Sequence, residues 1–486
     1  MSRLALTTAQ RGIWFAQQLD PASPAFVTAD CVQAGASVDP GRLAAAVRTT
    51  LLEVEGLHVR CGDDGGAPWQ EPVAAPDVDV PVLALPDAHA AEAWMAADVA
   101  RPFDLAAGSL CRQAILRVGD AAVWWYQAIH HLATDAFATS LIMRQVARRY
   151  GGAETKAFGA LEALIALDAA YAGSPDQDAD RAYWSAVLAG APDAIGLAGR
   201  DDGAAGLPLR AAAALDEAPA APLALALVAV WMHRMTGADD VVLGVPWMGR
   251  LGSAAATVPA CWINVLPLRR AVTPAHSVER LRSDAQTALR DATRHGRYRY
   301  EDLRRDLGRL GAARRLVGPL VNVKPFADEL ALGGERALVR NLAAGPVDDL
   351  TVTIGGGRLV LDGHPGRYDA EALAAHADRL ARLLEAGARA QPEAPCGRLA
   401  VGRPADRAAS CAPPAARASR SRPRRCGRAS PPPPSARRRR RRSSSASGRS
   451  PTAPCATGPR RWPGRWPRAA QDRAASSGSA CRAARR

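Results

Sequence analysis

Two histidines and an aspartate are the side chains whose types and spacing best suit catalysis. His130 and His131 follow the apolar run 123–129, and Asp135 comes four residues after His131. We expect a buried strand, a turn and then an amphipathic helix, with Asp135 at the N-cap, where free N–H groups and the helix dipole favour a carboxylate. Burial favours the neutral form of a histidine, so His131 would be able to accept a proton at pH 7. A core histidine beside an N-capping aspartate, without chemistry, fits the same residues.

The surrounding sequence predicts a mixed α/β protein that would hold these residues on a rigid frame. Apolar residues recur at helical spacing in 41–55 and 370–385, and short β-rich runs alternate with the helical segments. The polar segment 172–181 is the expected boundary between an N-terminal lobe, 1–172, and a C-terminal lobe, 173–400. The β-rich runs are 123–129, 240–245, 263–268, 321–324, 350–354 and 359–361.

Charge divides the chain into an acidic body and a basic tail. The whole chain has a net charge of +14, but residues 401–486 hold 23 arginines against two acidic residues, a net of +21, which leaves −7 for residues 1–400. The positive net charge of the whole chain therefore comes from residues 401–486. Residues 1–400 are mildly acidic, so a nucleic-acid-binding role for them is not indicated.

Residues 401–486 consist mainly of Arg, Pro, Ser, Ala and Gly. Such a segment buries too little apolar surface to offset its chain entropy, so we expect it to be disordered. One possible origin is a basic arm that binds nucleic acid or acidic surfaces. The other is a GC-rich gene read in a shifted frame. The composition of residues 1–400 favours the frameshift. This part of the chain is rich in Arg and its lysines are Lys156 and Lys324 alone, which indicates GC-rich coding.

The remaining composition predicts a cytoplasmic protein without a metal site. The nine cysteines include no CxxC pair, so neither a zinc site nor a disulfide framework is indicated. No apolar run reaches the roughly 20 residues that span a bilayer, and the N-terminus lacks the apolar core of a signal peptide.

Motifs along residues 1–400 resemble, in order, those of the condensation-domain family of non-ribosomal peptide synthetases. HHLATDA at 130–136 is similar to the family's HHxxxDG signature. The other segments that carry the resemblance are LTTAQRGIWFAQQLDPASPAF (6–26), LLEVEGLHVRC (51–61), DADRAYW (178–184), GVPWMGRLGSAAATVPACWINVLPLR (244–269), RHGRYRYEDLRRDLG (294–308) and GPLVNVKPF (318–326).

The resemblance implies a fold and a reaction. The family has two lobes resembling chloramphenicol acetyltransferase, arranged as a V-shaped pseudodimer with a tunnel between them. Donor and acceptor carrier proteins deliver substrates on phosphopantetheine, so the domain itself needs no cofactor. The acceptor amine attacks the donor thioester carbonyl, and an amide bond forms in the biosynthesis of a secondary metabolite.

The resemblance also assigns roles to residues of this chain. His131 matches the catalytic position, either as general base or as a hydrogen-bond partner that orients the amine. His130 and Asp135 complete the motif; we interpret His130 as structural and Asp135 as holding the loop. The other candidates are substrate-tunnel positions, although strand-end asparagines often only satisfy backbone groups. These positions are Ala136, Asn264 and Asn322.

Three departures from the family pattern bear on activity. Ala136 replaces the signature Gly, which would strain a backbone with positive φ. His58 stands where the family has an Arg that pairs with the signature Asp, which would leave Asp135 without that partner. Cys61 replaces a Phe and would leave a cavity. We therefore expect a destabilised first lobe, or one rescued by pairing of Asp135 with Arg60 or with a protonated His58, and we expect His58→Arg with Cys61→Phe to raise the melting temperature.

The expected partners are carrier proteins and other synthetase modules, with a monomeric chain and neither membrane nor nucleic acid as a partner. Three other functions are compatible with the sequence. The chain could be a stand-alone acyltransferase of the same superfamily that esterifies a small alcohol. It could be a catalytically impaired scaffold that docks carrier proteins, or it could bind nucleic acid through the Arg-rich tail.

Overall fold

The run 122–130 forms a strand that is buried on both faces. Neighbouring residues of a strand point to opposite faces, and here Trp125 packs in one apolar core whereas Trp124 and Tyr126 pack in another. The structure, a computed structural model, describes residues 3–203, 206–309, 315–324 and 329–401. The predicted tail at 401–486, with its expected disorder and frameshift, lies outside the described residues apart from Val401.

Strands in the described ranges form two six-stranded sheets and one three-stranded sheet. The strands are β1 (Leu4–Ala5), β2 (Val27–Gly35), β3 (Val59–Asp63), β4 (Pro68–Pro72), β5 (Val82–Leu85), β6 (Cys111–Val118), β7 (Ala122–His130), β8 (Leu209–Ala214), β9 (Asp240–Trp247), β10 (Asn264–Ala271), β11 (Leu320–Val323), β12 (Glu329–Leu332), β13 (Glu335–Ala344), β14 (Leu350–Gly355) and β15 (Arg358–Gly363).

Several helices begin at side chains suited to capping. Thr7 and Gln10 form a reciprocal capping box at the start of the first helix, and Asp39 and Ser174 cap helices whose first residue is Pro. The helices of the described ranges are α1 (Thr8–Leu19), α2 (Pro40–Leu52), α3 (Ala88–Val99), α4 (Ala136–Tyr150), α5 (Leu161–Tyr171), α6 (Pro175–Val187), α7 (Ala221–Thr236), α8 (Val278–Arg294), α9 (Tyr300–Asp306) and α10 (Ala370–Ala388).

The two large sheets define two lobes. The first sheet has the strand order β12-β13-β2-β7-β6-β5, with α2 and α4 packed on one face and α3 on the other. The second sheet has the order β10-β9-β11-β14-β15-β8, and the apolar faces of α7, α8 and α10 pack against it. A small sheet of β1, β4 and β3 lies beside the first. The predicted α/β architecture of two lobes is confirmed.

The elements read from the sequence lie where they were predicted, with ends shifted by a few residues. The helical segments at 41–55 and 370–385 are α2 and α10, and the six β-rich runs are β7, β9, β10, β11, β14 and β15. Residues 175–181 of the expected boundary segment begin α6 rather than an irregular linker. The division into lobes at residue 172 stays a prediction.

A hairpin from the second half of the chain completes the first sheet. β13 pairs with β2 in antiparallel register, and Ala344 lies opposite Thr28. Asn341, at a bulge in β13, donates from Nδ2 to the carbonyl of Ala29 at 3.2 Å and to Asp30 Oδ1 at 3.0 Å. Arg210 of the second sheet donates to the Asn341 carbonyl at 2.5 Å. Asn341 therefore links the hairpin both to β2 of the first sheet and to Arg210 of the second sheet.

We expect Asn341→Ala to lower the free energy of unfolding by about 1–3 kcal/mol, because its partners lose hydrogen bonds where the hairpin meets β2. Glu335→Ala, at an exposed position of the same strand, should change it by less than about 0.5 kcal/mol. Urea unfolding of both variants checks this. Equal effects would show that Asn341 does not anchor the hairpin.

Candidate active site

The histidine pair lies at the end of β7, as predicted. Val27 of β2 is opposite His130, and the backbone N–H of His131 donates to the carbonyl of Phe26 at 2.8 Å. Asp135 is the N-cap of α4 and accepts a hydrogen bond from the backbone N–H of Ala138 at 2.9 Å. The predicted strand, turn and capped helix are confirmed, and they fix both ends of the turn 130–135.

His130 is a structural residue whose two ring nitrogens are both occupied. The backbone N–H of Leu132 donates to Nδ1 at 3.1 Å, so Nε2 carries the proton and donates to Oε1 of Gln17 at 3.1 Å. The ring is 1% exposed and lies between Phe26 and Phe103. Burial, assisted by the neighbouring His131, lowers the pKa of His130 to about 3. This ring holds the turn in place and stays neutral.

His131 is half-buried and presents one ring nitrogen for chemistry. Its Nδ1 lies 2.9 Å from the carbonyl oxygen of Thr134. A carbonyl only accepts hydrogen bonds, so Nδ1 carries the proton and Nε2 carries the lone pair of the neutral ring. Across residues 3–203, 206–309, 315–324 and 329–401, no hydrogen bond uses Nε2 of His131. The neutral side chain can therefore accept a proton at Nε2.

Asp135 is held by a buried ion pair with Arg250. The guanidinium Nη2 lies 2.6 Å from Oδ2 of Asp135, and the two side chains are 0% and 1% exposed. The backbone N–H of Trp262 donates to the same oxygen at 2.9 Å. Because Arg250 and Trp262 come from the second half of the chain, the turn after His131 is pinned by groups of both halves.

The two terminal nitrogens of the Arg250 guanidinium also donate to backbone carbonyls, whereas its Nε is buried without a hydrogen-bond partner among the described residues. Nη1 donates to Ala255 at 3.1 Å and to Val258 at 2.8 Å, and Nη2 also donates to Ala260. Ala255, Val258 and Ala260 pack in the apolar core of the first lobe. The segment that follows β9 thus enters the first lobe and carries its arginine into contact with Asp135.

The predicted partners of Asp135 are wrong. His58 is buried and donates from Nε2 to the carbonyl of Leu51 at 2.8 Å, and burial lowers its pKa. Arg60 pairs instead with Glu71 across β3 and β4, at 2.8 Å. Neither side chain reaches Asp135, whose oxygens are occupied by Arg250 and two backbone N–H groups.

One of the two reasons for expecting a destabilised first lobe, an unpaired Asp135, is wrong, whereas the cavity expected at Cys61 stays a prediction. Asp135 has a charged partner, so His58→Arg would supply a second guanidinium to a carboxylate that is already paired. Cys61 is buried in the apolar core of this lobe. The sequence does contain a signal for Arg250, because this residue stands in the 244–269 motif.

The other predicted site residues take different positions. Ala136 is the first residue of α4, where φ is negative, so alanine replaces glycine without backbone strain. Asn264 is buried and uses its whole amide on backbone groups: Nδ2 donates to Gly296 and Tyr298, and Oδ1 accepts from Val265 and Tyr300. Asn322 is half-buried on β11, opposite Thr353 of β14. A tunnel role for these three residues stays a prediction.

Helix α1 contacts the turn 130–135 through its glutamine side chains. The Nε2 of Gln10 donates to the carbonyl of Leu132 at 3.3 Å, and Trp14 packs in the first lobe's core. Gln17, which accepts from His130, donates from Nε2 to the carbonyl of Asp20 at 2.8 Å. Gln10 and Trp14 thus serve as a capping residue and a packing residue.

The cysteines of the described ranges are free and buried: Cys31, Cys61, Cys111, Cys261 and Cys396. Burial raises the pKa of the first four thiols to about 12. Among the residues whose positions are described, no group of three or more His, Cys, Asp or Glu side chains is arranged to hold a metal ion. The helices of the same ranges are all too short or too polar to cross a membrane.

His131 thus lies on a turn that is fixed by a buried ion pair, with one ring nitrogen able to accept a proton. The profile of the condensation-domain family matches residues 2–408, and the chain belongs to this family. Members of the family catalyse amide-bond formation in non-ribosomal peptide synthesis.

Curated relatives are multidomain synthetases. The dimodular nonribosomal peptide synthase of Bacillus subtilis (strain 168) is 38% identical over 411 residues, which cover 78% of this chain and 17% of that protein. The isonitrile lipopeptide synthase of Streptomyces coeruleorubidus is 38% identical over 413 residues, which cover 79% of this chain and 28% of that protein. The chain therefore spans less than a third of the length of these relatives.

Solved structures agree with the family and the two-lobe fold. A variant of the starter condensation domain of rhizomide synthetase, in complex with C8-CoA, matches with a TM-score of 0.77 and 33% identity over 82% of this chain and 98% of that domain. The first condensation domain of the calcium-dependent antibiotic synthetase, in complex with a substrate analogue, matches with a TM-score of 0.74 and 30% identity over 83% and 99%.

We expect Arg250→Met to lower the free energy of unfolding by about 3–5 kcal/mol, because it leaves the buried Asp135 carboxylate without its charged partner. Arg60→Met removes an exposed pair and should cost less than about 1 kcal/mol. Urea unfolding measures both. If both variants lower the free energy of unfolding by similar amounts, the buried pair of Arg250 and Asp135 does not contribute more stability than an exposed pair.

Burial of His130 also predicts a pH effect on stability. The unfolded chain binds a proton at this histidine near pH 6.5, whereas the folded chain binds it only near pH 3. The unfolded state therefore gains protons first, and the free energy of unfolding falls as the pH falls through this window, by up to about 1.4 kcal/mol per pH unit. His130→Gln should reduce this slope, and His89→Gln, at an exposed position, should not. Chemical unfolding across this pH range measures the slopes. If His130→Gln and the native chain show the same dependence of the free energy of unfolding on pH, the effect does not come from His130.

Proposed function

We propose that this chain is the amide-forming condensation domain of a non-ribosomal peptide synthetase, with His131 as the residue that acts on the acceptor amine. The observation that carries the proposal is the hydrogen bond from Nδ1 of His131 to the Thr134 carbonyl, at 2.9 Å. It fixes the tautomer that presents a lone pair at Nε2. The site has the base that amide formation needs, on a turn that both halves of the chain hold rigid.

The proposed reaction is aminolysis of a thioester. The acceptor nitrogen attacks the donor carbonyl carbon, the C–N bond forms, and the C–S bond breaks to release the donor arm as a thiol. Nε2 of His131 removes a proton from the attacking nitrogen and passes it on to the leaving sulfur, and the same contact orients that nitrogen. General base catalysis contributes about 10²–10⁴-fold in rate, and alignment of the two reactants contributes further.

The substrates in this proposal are tethered to phosphopantetheine on donor and acceptor carrier proteins, and the setting is the cytoplasm. The named relatives are synthetases, and the matched rhizomide domain was solved with an acyl-CoA, which supports an acyl donor. His130 and Asp135 act through His131: His130 holds the turn by its hydrogen bonds, and Asp135 joins the turn to Arg250.

Two features of the structure weigh against an impaired scaffold. The departures that motivated that alternative are His58, Cys61 and Ala136. The carboxylate that His58 was expected to pair is paired by Arg250, and Ala136 lies in a helical conformation that suits alanine. The turn that carries His131 keeps its hydrogen bonds in spite of these substitutions.

The test is amide formation between an acyl-loaded donor carrier and an aminoacyl-loaded acceptor carrier. His131→Ala should lower kcat by about 10²–10⁴-fold, and His89→Ala, an exposed histidine on α3, should leave it unchanged. Product is measured by mass spectrometry of the acceptor carrier.

Other results of this assay would select the alternatives. If the native protein and His131→Ala are equally inactive but both bind carrier proteins, the chain is a docking scaffold. If a soluble alcohol is acylated in preference to the carrier-bound amine, the chain is a stand-alone acyltransferase.

A further inference from the structure

The hairpin that crosses into the first sheet ends against the ring of His131. Gly345 directly follows β13, is buried, and has a φ of +95°. A Cβ atom at this position would lie 2.6 Å from Cδ2 of His131 and 3.4 Å from Nε2. The first distance is far inside van der Waals contact, so the backbone of Gly345 lies against the edge of the imidazole that carries Nε2.

Sheet register brings these two residues together. Ala344 is opposite Thr28 on β2, and the adjacent Val27 is opposite His130 on β7. Gly345 and His131 therefore each lie one residue beyond a paired position at the same end of three neighbouring strands. The contact is set by the ladder of hydrogen bonds and not by a loose loop.

The His131 ring has little freedom to move away from Gly345. Its Nδ1 is bonded to the Thr134 carbonyl, and its backbone N–H is bonded to the Phe26 carbonyl at 2.8 Å. Rotation of the imidazole away from a side chain at 345 would break the Nδ1 hydrogen bond, which determines that Nε2 carries the lone pair.

We propose that Gly345 is a positioning residue for His131, and this inference rests on the proposed function. The backbone of the hairpin supports one edge of the ring, and the Thr134 carbonyl holds the other. Together they fix the direction in which Nε2 meets the acceptor amine. A side chain at 345 displaces the ring.

The hairpin contains a matched control for backbone strain. Gly334, in the turn between β12 and β13, has a φ of +94°, and a Cβ there would meet no atom within 4 Å. Alanine therefore meets the same unfavourable backbone conformation at both positions, but only at 345 does it meet His131.

The experiment compares Gly345→Ala, Gly334→Ala, His131→Ala and the double variant His131→Ala/Gly345→Ala. We expect Gly345→Ala to lower kcat for amide formation by about 10- to 100-fold, in line with the cost of small misplacements, at an unchanged KM for the acceptor carrier. It should also shift the ring resonances of His131 in NMR spectra. Gly334→Ala should lower the melting temperature and leave kcat and these resonances unchanged.

The double variant separates a ring contact from a purely structural need for glycine. With the imidazole removed, Gly345→Ala should lower the melting temperature no more than Gly334→Ala does. If Gly345→Ala alone fails to fold, folding of the double variant still supports the contact, and failure of both overturns it. Native-like kcat and His131 resonances in Gly345→Ala would also overturn the proposal.

The same measurements distinguish failure of the proposed function from failure of the positioning role of Gly345. A native chain that forms no amide contradicts the reaction assigned to His131, whereas the resonances and the double variant still report whether Gly345 sets the ring. A native chain that forms amides, together with an unperturbed ring in Gly345→Ala, contradicts the positioning role alone.

Discussion

The buried pair of Asp135 and Arg250 is the constraint on which the rest of the site depends. A carboxylate and a guanidinium without solvent are tolerated only when they are paired and most of their hydrogen-bonding groups have partners. Asp135 bonds to the guanidinium and to two backbone N–H groups; the terminal nitrogens of Arg250 bond to Asp135 and to three carbonyls of the segment that follows Arg250, while its Nε has no partner among the described residues. Each charge is therefore paired by a charge from the other half of the chain, and the turn that carries His131 is complete only when both halves are assembled.

The hairpin of β12 and β13 is a second link between the halves, and it has a different physical basis. The ion pair acts through charge at a single point, whereas the hairpin acts through the backbone ladder along β2. The two links contact the turn 130–135 at opposite ends: Arg250 pairs with Asp135 at its end, and the hairpin ends beside His131 at its start. The imidazole thus occupies a site whose geometry belongs to neither lobe alone.

Local features of the site were predictable from sequence because they depend on neighbours in the chain. The apolar run before His130, the N-cap at Asp135 and the capping box of Thr7 and Gln10 each involve residues a few positions apart. The partner of Asp135 is separated from it by 115 positions. We expected the partner of Asp135 at or near position 58, because the family pattern has an arginine there and this chain has His58. The pairing of β13 with β2 was also missed, because the polar alternation of a strand does not specify which sheet it joins.

The burial of the cysteines bears on the fidelity of the proposed reaction, which consumes a thioester. The thiolate is the reactive form of cysteine, and the raised pKa values leave the thiols of Cys31, Cys61, Cys111 and Cys261 protonated as well as buried. Cys396, the other cysteine of the described ranges, is buried too. Under the proposed function, a donor acyl group would therefore meet no reactive thiol in the described part of the chain, and self-acylation would not compete with amide formation.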